Sequence, residues 1–422
     1  MITNEEKAFS CQTPLKSKFF SEEKYYIDTH CHLCDCEHVD DLLEHAAKAN
    51  VKIVISCGTS EEDWNENEHY AEKSQISQQN ILDPSIAKIH QTFVIPFFGY
   101  HPWFLDKRTP QWKENLIKKL TQHPCSGVGE IGIDKLKTDK SKKGSYPSLE
   151  TQCSAFKEQL DIAYQMNRPC SVHCVRAVGN LYTILCEQRD INRLPPAIIL
   201  HSYGGPPDFV PLLLEAGSPS CRISSLVKKE EASSSSTPSS SIFTDTKKDN
   251  DKGQSHLTKP SIALPESELG NPSSLSKIHE QQLKKKKVKR QLQHPDFYHD
   301  SHVWFSFSGT IFDHSKDNIV SQSASFVPLN RLLIETDAPT FDSKYASYKE
   351  GLSSEPSAVV SVAEELLNAI KNKKASENSS STTSQDETEH FSSLANDTEE
   401  LTPDSLQNIL YHNFLNCYKS IL

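Results

Sequence analysis

Eight short apolar runs punctuate the chain, and a turn follows each of them. The runs are Tyr25–Ile27, Val51–Cys57, Phe93–Gly99, Gly127–Ile131, Cys170–Val172, Ala197–Leu200, Val303–Phe307 and Leu332–Ile334. Apolar runs bounded by turn residues read as buried strands. Most of the intervals between them have helical period. Val39, Leu42, Leu43, Ala46 and Ala47 recur at helical spacing after the first run. Phe156, Leu160 and Ala163 do so after the fourth, and Phe209, Leu212 and Leu213 after the sixth. A last helix is expected over Ala358–Ile370. Alternating strands and helices predict a parallel sheet, and eight units predict a closed TIM-type (β/α)8 barrel with room for distortion.

Some segments break this rhythm and set the expected organisation. Residues 1–24 are polar and unpatterned, 25–217 form the first part of the barrel and 301–371 the second. Between the sixth βα unit and strand 7 lies an insertion, 218–300, with a Ser-rich tract at Ser233–Ser241 and a basic cluster at Lys284–Arg290. It has too few apolar residues to build a core and reads as disordered. It is expected to enter near the catalytic rim. The basic cluster reads either as a nuclear-import signal or as a solvated charge run. Residues 372–401 form an acidic, Ser/Thr-rich linker, and 402–422 a helix that packs back.

Composition narrows the classes. The chain has 422 residues, 36% hydrophobic, with a net charge of −11. Such an acidic balance argues against whole-protein attraction to nucleic acid, so any such contact needs a local basic patch. Several of the twelve cysteines sit in apolar runs or beside histidines, not in a disulfide framework, which suits a reducing compartment. The polar start predicts no signal peptide, and no apolar run is long enough to span a bilayer. The expectation is a soluble protein of the cytoplasm, the nucleus or both, with no membrane contact.

In a βα barrel the site forms at the C-terminal ends of the strands. There stand Asp28-Thr29-His30-Cys31-His32, Gly99-Tyr100-His101-Pro102, Gly129-Glu130-Ile131-Gly132-Ile133-Asp134, His173, His201-Ser202, Ser308-Gly309 and Glu335-Thr336-Asp337. Residues two apart on a strand face one side, so His30 and His32 can reach one ion. A lone His-x-His is a weak signal, and a single histidine is more often a satisfied core residue. Four histidines with two carboxylates in one barrel mouth need cations to offset their desolvation. Two cations sharing a bridging carboxylate fit that set and point to metal-assisted hydrolysis.

In order, the motifs DTHCHL, GYHPW, GEIGID, HSYGG, FSFSGT and ETDAP resemble the TatD-type metal-dependent deoxyribonucleases of the amidohydrolase-like barrel group, most of all their divergent fungal members. The resemblance spans about Tyr26 to Ile370 without the insertion. It implies that His30, His32 and Asp337 hold one metal and that Glu130 bridges to a second held by His173 and His201. It implies catalytic roles for Asp337 as general base, for Glu130, and for His101 facing the scissile phosphate. It implies DNA as substrate and two divalent ions, magnesium or manganese, with zinc in some members. Small barrels of this family are often monomers. In the family's fifth-strand motif one residue separates His from Arg. Here two separate His173 from Arg176, which puts the phosphate-anchoring role of Arg176 in question.

Other residues carry two readings each. Trp103 can stack on a substrate base or cap the barrel, and Asp28 and Asp134 can orient ligating imidazoles or end their strands. Glu335 is expected to support the site without ligating. Cys31, Cys34 and Cys36 lack the paired spacing of a zinc knuckle. Two alternative functions remain: hydrolysis of another small ester or amide, and a non-catalytic barrel that docks a protein partner through the insertion.

Overall fold

Each apolar run becomes a strand in the computed structural model, and a helix follows each strand. The structure describes residues 24–79, 92–141, 145–219, 299–313, 318–340, 354–380 and 401–422. In chain order these form β1 Tyr26–Cys31, α1 Val39–Lys48, β2 Val51–Cys57, α2 Trp64–Gln79, β3 Phe93–Phe98, α3 Trp112–Gln122, β4 Gly127–Asp134 and α4 Leu149–Gln165. There follow β5 Cys170–Val175, α5 Val178–Asp190, β6 Ile198–Leu200, α6 Phe209–Ala216, β7 Val303–Phe307, α7 Ile319–Phe326, β8 Leu332–Ile334, α8 Val359–Ser380 and α9 Pro403–Cys417. The strands are parallel and lie in sequence order, as a TIM-type barrel requires. β8 returns to β1 through the Thr29 hydroxyl donating to Ile334 O (2.8 Å), Asp337 N–H to His30 O (2.9 Å) and His32 N–H to Ala338 O (2.7 Å).

Local sequence explains local structure. Ser148 caps α4 by accepting from Thr151 N–H, and α4 buries Ala155, Phe156, Leu160 and Ala163. Gly132 faces His173 across β4 and β5, where a Cβ would collide with the His173 carbonyl. Inside the barrel, Ile53, Ile55 and Cys57 alternate inward along β2, Ile95 and Phe97 along β3, and Ile199 and Leu333 come from β6 and β8.

The same cluster contains Tyr411, Phe414, Tyr418 and Ile421. Side chains of the C-terminal helix α9 therefore complete the interior cluster. Its start is fixed by a capping box between Thr402 and Ser405, with Pro403 in the first turn. Asn413 Nδ2 donates to Leu329 O (2.7 Å) and Leu332 O (2.8 Å), and the Tyr418 hydroxyl donates to Thr29 O (3.5 Å).

The chain divides into two units, Met1–Ser220 with Tyr298–Leu422, and Cys221–Phe297. The second, with the Ser-rich tract and the basic cluster, lies outside the described residues, as do residues 1–23 and 381–400 of the expected tail and linker. Two expectations change. The insertion's attachment points lie away from the catalytic rim: Gly217 and Ser218 lie beside Ser301 and His302 at the start of β7, with His302 N–H donating to Gly217 O (2.8 Å). That is the end of the barrel opposite the strand C-termini, because α6 has already carried the chain back. Helix α8 also runs to Ser380, into the expected linker. Residues 371–380 contain no proline or glycine to stop it.

Candidate metal centre

The strands run further than their apolar runs. β1 continues through Asp28-Thr29-His30-Cys31, β4 to Asp134 and β5 to Val175. These polar side chains still alternate, so the inward ones turn into the barrel mouth. All six expected ligands meet there, and all but His173 are buried.

Glu130 stands at the centre, 2% exposed. Its Oε2 lies 3.2 Å from His32 Nε2 and 3.6 Å from His30 Nε2. Its Oε1 lies 2.8 Å from His173 Nδ1, 2.8 Å from His201 Nε2 and 3.4 Å from His101 Nε2. Asp337 joins the first group, with Oδ1 3.6 Å from His32 Nε2 and 3.8 Å from His30 Nε2. Three groupings of these side chains have ligand geometry: His30–His32–Glu130, His30–His201–Asp337 and His101–Glu130–His173. One carboxylate thus faces two sets of imidazoles, one with each oxygen. Asp337 and Ser202 reach their places with left-handed backbones, φ +55° and +42°. Such conformations are costly for residues with side chains and concentrate at functional sites.

The donor atoms fit divalent cations. His32 Nδ1 lies 3.0 Å from Cys57 O, a group that only accepts, so Nδ1 carries the proton and Nε2 presents a lone pair. That lone pair faces His30 Nε2 at 3.2 Å as well as two carboxylates. Acceptors aimed at acceptors need a positive charge between them. Cations bound at ~2.0–2.2 Å hold neighbouring ligands ~2.9–3.5 Å apart, close to the separations here. Although the distances are short, Glu130 Oε1 and His201 Nδ1 lack properly directed hydrogen bonds. Glu130 Oε1, with three imidazole nitrogens about it, faces a shared space, whereas His201 Nδ1 turns to Glu335 at 3.4 Å.

Electrostatics agree. Burial pushes His32 down, but Asp337 and Glu130 outweigh it and hold the ring well above its usual value. Burial likewise opposes His201 and His173, which Glu130, with Glu335 and Asp134 respectively, raises. Burial would raise Glu130, yet His201, His101 and His173 keep it well below the usual carboxylate range. His30 is lowered by burial and by His201, whose ring stacks on it at 4.0 Å.

The supporting groups were only partly foreseen. Ser171 Oγ lies 2.7 Å from His30 Nδ1; its position two residues before His173 on β5 was the available signal. Glu335 is fully buried, accepts from Ser202 N–H (2.6 Å) and lies 3.4 Å from His201 Nδ1. Asp28 orients no imidazole. It accepts from Thr336 N–H (2.9 Å) and the Thr336 hydroxyl (2.5 Å), tying β1 to β8, and burial lifts its carboxyl to about 8. Asp134 lies 3.6 Å from His173 Nε2 and accepts from Trp103 Nε1 at 2.7 Å. Arg176 is exposed at the end of β5 with φ +53°, outside the cluster. Cys34 and Cys36 each donate to a backbone carbonyl and group with no other ligand.

Carboxylate-bridged imidazoles in the mouth of an eight-stranded barrel define the class: a metal-dependent hydrolase. The family model described as TatD related DNase matches residues 27–247 and 279–419. The chain belongs to that family. It is 27% identical over 257 residues to the Cut9-interacting protein scn1 of Schizosaccharomyces pombe, covering 42% of this chain and 71% of that protein. It is 26% identical over 203 residues to the human 3'-5' RNA nuclease TATDN2, covering 46% of this chain but only 24% of that protein. The uncharacterized metal-dependent hydrolase YcfH of Escherichia coli K12 is 23% identical over 171 residues, 39% of this chain and 55% of that one. Among solved structures, the TatD homologue YjjV of E. coli K12 superposes with a TM-score of 0.55 at 17% identity, covering 93% of this chain and 98% of that one. A TatD family hydrolase of Entamoeba histolytica gives 0.53 at 14% identity, covering 94% and 99%. These two likenesses show the fold.

Proposed function

We propose that the protein is a two-metal phosphodiesterase that cuts nucleic acid, DNA in the first instance, from an end. The observation that carries this reading is Glu130, with its two oxygens aimed at separate imidazole groups. His30, His32 and Asp337 would hold one cation, His173 and His201 the other, and Glu130 both. Bound there, magnesium, manganese or zinc would polarise a phosphoryl oxygen and acidify water.

The chain's own groups complete the chemistry. Burial would raise Asp337, but His32, His201 and His30 outweigh it and hold it below the usual range, so it is ionised at neutral pH and ready to take a proton from water. Burial lowers His101 to about 4, so its ring is neutral. Its Nδ1 accepts from Trp103 N–H (3.2 Å), which leaves the proton on Nε2, facing the mouth as a donor to a phosphoryl oxygen. Trp103 holds Asp134, which steadies His173. Arg176 stands at the rim, able to meet a phosphate further along the strand.

The test is hydrolysis of end-labelled DNA and RNA oligonucleotides over magnesium, manganese and zinc, with Asp337→Asn alongside. Metal-dependent shortening lost in the variant supports the reading. No cleavage of either polymer by protein with metal bound overturns it. RNA is a direct contender because the human relative is named for it. The name of the S. pombe relative supports a second role, docking of a protein partner. We place the protein in the cytoplasm, the nucleus or both, supported by free thiols at all described cysteines. No described helix is long and apolar enough to cross a membrane.

A further inference from the structure

On this acidic chain, several basic side chains find acidic neighbours. Lys48, Lys73, Lys107, Lys113, Lys119 and Lys157 each pair with a carboxylate. The loop after β4 gathers three lysines within residues 135–140. Lys135, Lys137 and Lys140 form no ion pair among the described residues, and Lys135 and Lys140 are exposed. Asp139 is the exposed carboxylate of this stretch. Like charges crowded by a fold repel one another, and a polyanion relieves that repulsion.

The loop is held in place and sits at the site. Asp134, 3.6 Å from His173 Nε2, accepts from Leu136 N–H (2.8 Å) and Lys137 N–H (3.2 Å). Lys135 N–H donates to Val175 O (2.9 Å), and Gln152 Nε2 donates to Lys137 O (2.7 Å). The lysines therefore stand at fixed positions beside the mouth. Two rings flank them. Trp103 and Tyr146 are half-buried with centroids 6.2 Å apart, and Lys137 Nζ lies 5.3 Å from one and 5.0 Å from the other. Trp103 is itself 6.2 Å from the His173 ring. Leu136, at the bend, is 60% exposed.

We propose that residues 135–141, with Trp103 and Tyr146, form the landing surface for a single nucleic-acid strand whose end enters the mouth. The lysines take successive phosphates, and the rings and Leu136 take an unpaired base. This rests on the nuclease reading above. A single strand fits because stacking needs an unpaired base.

The test separates binding from cleavage. Full-length protein as purified is titrated with a labelled, cleavage-resistant phosphorothioate oligothymidylate of about twelve nucleotides, within the range that single-strand sites cover, over a series of salt concentrations. Lys135→Ala/Lys140→Ala should weaken binding about tenfold and lower the salt slope by about 1.4, at ~0.7 per phosphate contact. Lys24→Ala/Lys118→Ala makes the same charge change at exposed sites elsewhere and should match the parent. Tyr146→Ala should lose the preference for the thymidylate over an abasic strand of equal length, at an unchanged slope. Equal binding by parent and loop variant overturns the proposal, as does equal loss in the Lys24/Lys118 control. Cleavage is not read, so an inactive protein that binds as described would sink only the nuclease reading.

Discussion

Truncating Phe414 to alanine measures how far the barrel depends on its last helix. The ring is fully buried, 4.6 Å from Tyr418, whose own ring lies 6.0 Å from Phe97 on β3. It belongs to the barrel's interior cluster, with members from β2, β3 and β8. A buried Phe→Ala change of this kind costs about 3–5 kcal/mol, transfer and cavity together. That is a large part of the ~5–15 kcal/mol that holds a domain folded. At ~2–4 °C per kcal/mol for chains of this order, the melting temperature should fall by about 6–20 °C. Thermal unfolding followed by circular dichroism reads this directly. Asn416→Ala, exposed on the same helix, should stay within about 0.5 kcal/mol of the parent. A Phe414→Ala shift no larger than that of Asn416→Ala would refute the claim that α9 is part of the core.

Glu130→Gln keeps the shape but removes the shared charge, so elemental analysis should find bound metal depleted while the circular dichroism spectrum persists; full metal content in this variant contradicts the bridging role proposed for Glu130. Trp103→Phe removes the indole N–H from Asp134 and should lower kcat about 10–100-fold, as losses of outer-shell partners do; an unchanged kcat assigns the ring to packing alone. Glu61 is pushed up by burial but held below its usual value by Tyr100, Asn115 and Thr109. A depressed folded pKa adds stability above the ordinary glutamate range (about 4.3) that disappears as pH falls through the folded value. The melting-temperature gap between parent and Glu61→Gln should therefore close below about pH 4, and a gap constant from pH 3 to 6 would count against this.

The barrel was legible because strand and helix periods alternate so regularly, and the site because ligand residues recur at the same end of each strand. His30 and His32 show why period two suffices: one ladder aims both rings at one point. What periodicity could not supply was partnership between distant segments. Asp28 looked like a ligand's neighbour, yet its proton acceptors face Thr336 across the seam. Leu406, Leu410 and Phe414 announce a helix, but nothing in their spacing says that its side chains join the barrel's interior cluster. Position between strands does not tell which end of the barrel Gly217 and Ser301 occupy, because α6 returns the chain to the strand starts. The pairing of Trp103 with Asp134 depends on a fold-level approach of two loops, so no local pattern records it.

The bond from Tyr418 to Thr29 joins residues 389 positions apart. A ribosome releases the first strand long before it makes the aromatic side chains that complete the interior. Until then Ile53, Ile55 and Phe97 face a gap, and the nascent barrel presents oily surface of the kind chaperones bind. Contacts of such long range also slow the search for the native state. Maturation of this protein should accordingly be late and slow, with its catalytic cluster assembled over a floor that arrives last.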